Sequence, residues 1–172
     1  MVEVENLIRD VPDFPEKGII FKDISPLLAN GPTLKRAIEA MAEPYKVEDV
    51  DHVVGIESRG FIFGMGIALS LGCGFIPVRK PGKLPYKTVS QTYDLEYGTD
   101  TVEMHVDSLE VGHRVVVVDD VLATGGTMQA TCQLLDKLNA SIIGLSFLME
   151  LSFLRGREKL SQVESITSLL TY

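Results

Sequence analysis

From residue 32 onward the chain alternates short apolar runs with apolar positions at helical spacing. After Gly31-Pro32, the residues Leu34, Ala37, Ile38, Met41, Ala42 and Tyr45 recur every third or fourth position, which predicts an amphipathic helix with proline in its first turn. His52 to Ile56 reads as a short buried strand and Gly60 to Leu71 as a helix rich in small residues, joined by the polar turn Glu57-Ser58-Arg59. Phe75 to Val78 predicts a second strand, which leads into the basic, proline- and glycine-punctuated stretch Arg79-Lys80-Pro81-Gly82-Lys83-Leu84-Pro85.

The pattern then changes period. From Thr88 to Tyr97 it alternates, with Val89, Tyr93, Leu95 and Tyr97 on one face and Thr88, Ser90, Thr92, Asp94 and Glu96 on the other. Gly98-Thr99-Asp100 turns the chain back through Val102, Met104 and Val106, so a long hairpin is predicted over about 86–106. Val115 to Val118 is an unbroken valine run, as in a central parallel strand covered on both faces, and it ends in two aspartates. Past Gly125-Gly126, the positions Thr131, Leu134, Leu135 and Leu138 mark a helix, and Ile142 to Met149 marks another strand. Repeated strand-helix alternation predicts an α/β fold with a mostly parallel central sheet and helices on both faces, its ligands beyond the carboxyl ends of the strands. Residues 1–172 read as one domain; about 1–30 and part of 151–172 fall outside the repeating unit and are expected to form a hood.

Composition narrows the function classes. With 45% hydrophobic and 23% charged residues, the chain is of ordinary globular make-up. Its 16 basic and 24 acidic residues leave a net charge of -8, which excludes a broad electrostatic footprint for nucleic acid. No apolar run reaches the length of a membrane span, and Met1-Val2-Glu3-Val4-Glu5 lacks the basic-then-apolar pattern of a secretory signal. Cys73 and Cys132 lie far apart with no metal-binding spacing, which suits two core thiols in a reducing cytoplasm. His52, His105 and His113 are each isolated in sequence, so no protein-built metal site is expected.

The richest chemistry lies in Val115-Val116-Val117-Val118-Asp119-Asp120-Val121-Leu122-Ala123-Thr124-Gly125-Gly126-Thr127. A buried strand delivers two carboxylates, then a small-residue turn, then a helix N-terminus. Backbone N–H groups and threonine hydroxyls at such a helix start cradle phosphate, glycines permit its close approach, and paired acids accept hydrogen bonds from two ribose hydroxyls. Acids come first and the lysine of the nucleotide-triphosphatase loop is missing, so ATP hydrolysis is not indicated.

This segment resembles the 5-phosphoribosyl-1-pyrophosphate (PRPP) binding motif of the phosphoribosyltransferase family. Asp13-Phe14-Pro15, Gly18 to Pro26, Glu57-Ser58-Arg59-Gly60-Phe61, Arg79 to Pro85, Leu95-Glu96-Tyr97-Gly98 and Gly156-Arg157-Glu158-Lys159-Leu160 look like adenine phosphoribosyltransferase segments, in the same order. The resemblance implies that Asp119 and Asp120 hold the ribose, that Ala123, Thr124, Gly125, Gly126 and Thr127 wrap the 5′-phosphate, and that Arg59, Lys83 and Arg79 meet the pyrophosphate, Arg79 from the neighbouring subunit. It implies an adenine pocket of Ile20, Phe21, Lys22 and Leu151, where Lys22 stands in place of the arginine some relatives carry, and Glu96 as general acid/base. It further implies magnesium carried by PRPP and water, a homodimer, a cytoplasmic enzyme of AMP salvage, and a hairpin lid hinged at Gly82 and Gly98. The rival readings are transfer to another base and a PRPP-sensing regulator; a DNA-binding form would need an added helix-turn-helix and a basic face.

Overall fold

The computed structural model describes residues 2–94 and 98–172. Helix α1 (Val2–Glu5) precedes strands β1 (Arg9–Pro12) and β2 (Ile20–Asp23), and helices α2 (Ser25–Leu28) and α3 (Gly31–Ala42) follow. Next come β3 (His52–Ile56), α4 (Gly60–Leu71), β4 (Gly74–Val78), the hairpin β5 (Thr88–Asp94) and β6 (Thr99–His105), then β7 (Arg114–Leu122), α5 (Gly126–Lys137), β8 (Ser141–Glu150) and β9 (Ile166–Thr171). Short 3-10 turns cover Glu43–Tyr45, Ser152–Leu154 and Gly156–Leu160.

Five parallel strands form the central sheet in the order β4-β3-β7-β8-β9. The valine run explains why β7 lies inside it. Val115 and Val117 enter one apolar cluster, with Cys132, Leu134 and Leu135 of α5 and Val102 and Met104 of β6. Val116 and Val118 enter the opposite cluster, with Ala37 and Met41 of α3 and Phe63 and Ile67 of α4. A strand buried on both faces needs no polar alternation, which is what the sequence shows. Helices α3 and α4 therefore cover one face, while α5 and the hairpin cover the other. Asn30 starts α3 by accepting the Thr33 N–H at 3.1 Å, a side-chain cap for a donor with no partner inside the helix. Gly72, with φ 73°, ends α4.

The strand order reverses direction between β3 and β7, and such a switch point opens a crevice beyond the carboxyl ends of both strands. The segments after these two strands are Glu57-Ser58-Arg59 and the aspartate-threonine-glycine stretch, so the topology brings together turns about sixty residues apart.

The structure departs from the sequence expectation in four places. The segment from Ile166 to Thr171 does not fall outside the repeating unit but forms the fifth strand of the main sheet, paired with β8 from Leu145↔Ile166 to Glu150↔Thr171. Strand β7 does not end at its aspartates; it stays paired to β8 through Leu122↔Glu150, so both carboxylates stand on regular strand. Cys132 is buried and its thiol is pushed up to about 12, first by burial, but Cys73 is only half-buried. His52 and His113 are not isolated in space: their rings pack at a centroid distance of 5.0 Å at the amino-terminal ends of β3 and β7, opposite the crevice.

That pair carries a pH dependence. Burial, and then the proximity of His113, hold the His52 imidazole below its ordinary pKa, with Asp51 partly opposing; Nδ1 of His52 is buried without a hydrogen-bond partner among the described residues. A histidine with a depressed folded-state pKa binds protons more readily when unfolded, so stability is lost as pH falls through the ordinary histidine range. Thermal melts at about pH 7.5 and about pH 5.5 are expected to show a smaller loss for His52→Gln than for the parent. The difference should stay below about 1 kcal/mol because solvent screens a half-buried ring. Equal losses in both proteins would remove His52 as the source.

Candidate active site

At the crevice, Asp120 is 4% exposed while Asp119 keeps some solvent contact within a dense surround. The Asp120 N–H donates to Asp119 Oδ1 at 2.9 Å. Burial, reinforced by the neighbouring Asp120 charge, drives the Asp119 carboxyl well above the usual carboxylate range. Burial raises Asp120 as well, against the pull of Arg59. Arg59 Nη2 lies 2.9 Å from Asp120 Oδ2, but off the line of a hydrogen bond, so this buried oxygen has no hydrogen-bond partner among the described residues. Two desolvated carboxylates with an unfilled acceptor suit a ligand that brings hydroxyls or a hard cation.

Gly60 sets how near Arg59 comes. A Cβ on Gly60 would sit 2.9 Å from both Asp119 Oδ1 and the Val118 carbonyl oxygen, so only glycine lets the start of α4 lie against β7. The preceding Glu57–Ser58 peptide is cis.

All five predicted phosphate residues, Ala123, Thr124, Gly125, Gly126 and Thr127, line one concavity of about 160 Å³ together with Asp119. Gly125 adopts φ 78° at the start of α5, and the first N–H groups of that helix lack intrahelical partners. The turn is braced from behind. A Cβ on Gly125 would lie 2.5 Å from the Gly156 carbonyl oxygen, and one on Gly156 would collide with the Ala123 carbonyl. Gly156 is held in turn by Arg157, whose Nε and Nη2 grip the Glu150 carboxylate at 2.7 to 2.9 Å and whose Nη1 donates to the Ile166 carbonyl at 3.0 Å.

The three basic residues do not converge. Arg59 faces the aspartates, whereas Arg79 and Lys83 both bind Glu57: Arg79 Nε lies 3.1 Å from Oε2, and Lys83 Nζ pairs with Oε1. Glu57 also accepts the Lys80 N–H at 2.9 Å. Burial works to raise its pKa, but these hydrogen bonds hold it below the usual range. The sequence assigns the Glu57 side chain no role, because its cations lie 22 and 26 positions away, beyond any local pattern.

The four predicted base-pocket residues separate by strand alternation. Ile20, Lys22 and Leu151 line a mostly apolar cavity of about 450 Å³, with Phe153, Leu154 and Tyr172. The Lys22 ammonium is held by Asp10 at 2.7 Å and lies 3.8 Å above the Tyr172 ring. Phe21 is on the other pleat of β2; its ring meets Phe14 edge-on at 5.2 Å and lies 5.1 Å from the Arg59 guanidinium. The chain Phe21, Arg59, Asp120 thus joins the hood to the carboxylate pair. Glu96, with Leu95 and Tyr97, lies outside the described residues.

The family model for the phosphoribosyl transferase domain matches residues 24–167, nearly the whole region just described. An adenine phosphoribosyltransferase of Thermobifida fusca is 53% identical over 94% of this chain and 92% of its own length. One from Syntrophotalea carbinolica is 51% identical over 100% of both. Among solved structures, the adenine phosphoribosyltransferase of Thermoanaerobacter pseudethanolicus superposes with a TM-score of 0.96 at 47% identity, covering 99% of each chain. That of Saccharomyces cerevisiae, crystallised with an imino-altritol bisphosphate and adenine, gives 0.91 at 40% identity over 98% of this chain and 97% of that one. The chain belongs to the adenine phosphoribosyltransferase family, within the phosphoribosyl transferase domain class.

Proposed function

We propose that the protein transfers the 5-phosphoribosyl group of PRPP to adenine, giving AMP and pyrophosphate. The observation that carries this is the Asp119-Asp120 pair, its Asp120 buried, beside the 160 Å³ cradle, with Arg59 bridging to Phe21. In this reading the cradle residues and the α5 N-terminus take the 5′-phosphate, and the aspartates accept hydrogen bonds from the ribose hydroxyls. Phe21 packs on the base, Ile20 pairs its edge through backbone groups, and Leu151 closes the pocket. The side chain of Lys22, engaged by Asp10 and Tyr172, serves to hold β2 rather than to read the base.

Displacement of pyrophosphate passes through an oxocarbenium-like centre, as in glycosyl transfer generally, so charge grows on sugar and leaving group together. Arg59, Lys83 and Arg79 stabilise the leaving group; the last two must first exchange Glu57 for pyrophosphate. The unpartnered Asp120 oxygen and its neighbour fit a magnesium ion that arrives with PRPP, and such an ion would neutralise developing phosphate charge. Glu96 is the proposed general acid/base at adenine, on the strength of its segment's resemblance. Closure over the substrates is assigned to the outer part of the 86–106 hairpin, because moving all of it would expose the fully buried Val102 and Met104. Gly82, before the hairpin, and Gly98, just before β6 within it, are both at positive φ.

A homodimer forms part of the proposal. Helix α4 is apolar on every side and leaves Ile62, Met65 and Leu69 exposed, next to Phe61 beneath the Arg79 guanidinium. A cytoplasmic location agrees with two unpaired cysteines. Among the described residues no helix is long and apolar enough to cross a membrane.

The test is chromatography of nucleotides formed from magnesium, PRPP and, separately, adenine, hypoxanthine, guanine or orotate. AMP from adenine alone is expected. Conversion of another base would overturn the pocket reading, and PRPP binding without conversion would favour a sensor.

A further inference from the structure

Lys80 stands between Arg79 and Lys83 in the chain sequence yet takes no part in their contacts with Glu57 through its side chain. Its ammonium pairs with Asp100 and lies 3.1 Å from the Tyr93 hydroxyl oxygen. Tyr93 and Asp100 are direct partners across the hairpin, and the Tyr93 oxygen lies 3.2 Å from the same Asp100 oxygen. On its far side the Tyr93 hydroxyl is 3.0 Å from Thr127 Oγ1, in the first turn of α5. The Tyr93 ring lies against that turn, where a Cβ on Gly126 would be 3.5 Å from its edge. An unbroken series of polar contacts therefore runs from the basic turn, through the outer end of the hairpin, to the last residue of the phosphate cradle.

The proton inventory gives this series a direction. Tyr93 has one hydroxyl proton and two neighbouring acceptors, Asp100 and Thr127 Oγ1. Asp100 already has a cation in Lys80. Burial works to lower the lysine pKa, but the hydrogen bonds with Asp100 and Tyr93 outweigh it and keep the ammonium charged. The Tyr93 O–H can donate to Asp100 Oδ2 or to Thr127 Oγ1; Lys80 competes for that same Asp100 oxygen, which favours donation to Thr127 and leaves the Thr127 proton for an incoming phosphate oxygen. No net charge moves; only the sense of two hydrogen bonds is set.

We propose that Lys80, Tyr93 and Asp100 are positioning residues that orient the Thr127 hydroxyl as a donor to the 5′-phosphate, coupling hairpin docking to phosphate binding. This rests on the cradle being the phosphate site of the proposed reaction. It separates Lys80 from Arg79 and Lys83: those two serve the pyrophosphate, and Lys80 acts on the opposite end of the same substrate.

Calorimetric binding of ribose 5-phosphate to the full chain, beside steady-state kinetics with PRPP and adenine, tests it. Losing the orientation of one hydroxyl donor, with the hydroxyl itself kept, corresponds to roughly 3- to 10-fold. Tyr93→Phe and Lys80→Met are each expected to weaken ribose 5-phosphate binding and raise the PRPP KM by about that factor, with kcat and the adenine KM within about twofold. Lys80→Arg, which keeps the charge, is expected to recover part of the loss. Tyr93→Phe added to Thr127→Val should cost little further, because Tyr93 acts through Thr127. Magnesium pyrophosphate should bind Lys80→Met as it binds the parent. Unchanged ribose 5-phosphate affinity in Tyr93→Phe and Lys80→Met, full additivity with Thr127→Val, or a selective loss of pyrophosphate affinity would each overturn the proposal while leaving the reaction assignment intact. A parent protein that binds no ribose 5-phosphate would overturn the cradle as the phosphate site, and the proposal with it, while AMP formation tests the reaction separately.

Discussion

Asp119→Asn is expected to unfold at a higher temperature than the parent while losing roughly 10- to 150-fold in kcat/KM for PRPP. The two effects share one cause. Asp119 is desolvated beside a second carboxylate, so its charge is costly in the folded state, and its pKa lies well above the ordinary value. The amide keeps an oxygen to accept the Asp120 N–H and removes that charge. Relieving strain of this kind at a functional site typically stabilises by about 0.5–2 kcal/mol. A hydrogen bond to a charged acceptor contributes about 1.5–3 kcal/mol, which is roughly 10- to 150-fold in transition-state binding.

The sign with pH follows from linkage. Because the folded-state pKa is raised, the native protein holds a proton that the unfolded chain releases, so the parent loses stability as pH rises from the ordinary carboxylate range through the raised folded value. The variant lacks this loss, and its advantage in thermal melts should widen from about pH 5 to about pH 8. A variant less stable than the parent at the higher pH would show that the carboxylate is compensated in the native state.

Gly125→Ala carries the second large effect. The residue has φ 78°, a region costly to any side chain, and the added Cβ would lie 2.5 Å from the Gly156 carbonyl oxygen. Gly156 cannot withdraw, because the next residue, Arg157, is tied through its own guanidinium to Glu150, which is 7% exposed, and to β9. Backbone strain and a backbone clash together should cost about 2–4 kcal/mol, lowering the melting temperature by about 4–16 °C in a chain of this size. Ribose 5-phosphate binding should fall below detection, since the cradle must shift to admit the methyl. Retained affinity in a destabilised variant would mean that the cradle's shape is not what binds the ligand.

The periodic parts of the chain were legible without coordinates, because burial on one or both faces of an element leaves a repeat in its own residues. The valine run announced a doubly covered strand, the 34–45 spacing announced α3, and the acid pair before a glycine turn announced the crevice end of β7. Strand β9 was not legible: Ile166 to Thr171 forms a sheet edge whose side chains are mostly half-buried on both faces, so neither alternation nor an apolar run marks it. Its membership of the sheet comes from pairing with β8, a partner some twenty residues earlier.

The same limit applies to the site. Asp119, Asp120 and the turn to Thr127 are contiguous and carry their own signal. The embrace of Arg79 and Lys83 by Glu57, the brace of Gly125 by Gly156, and the link from Lys80 to Thr127 through Tyr93 join residues that share no local period. Local composition reports what one segment buries or caps. Which segments then touch is set by strand order, and here the placing of β3 against β7 turns separate stretches into one crevice.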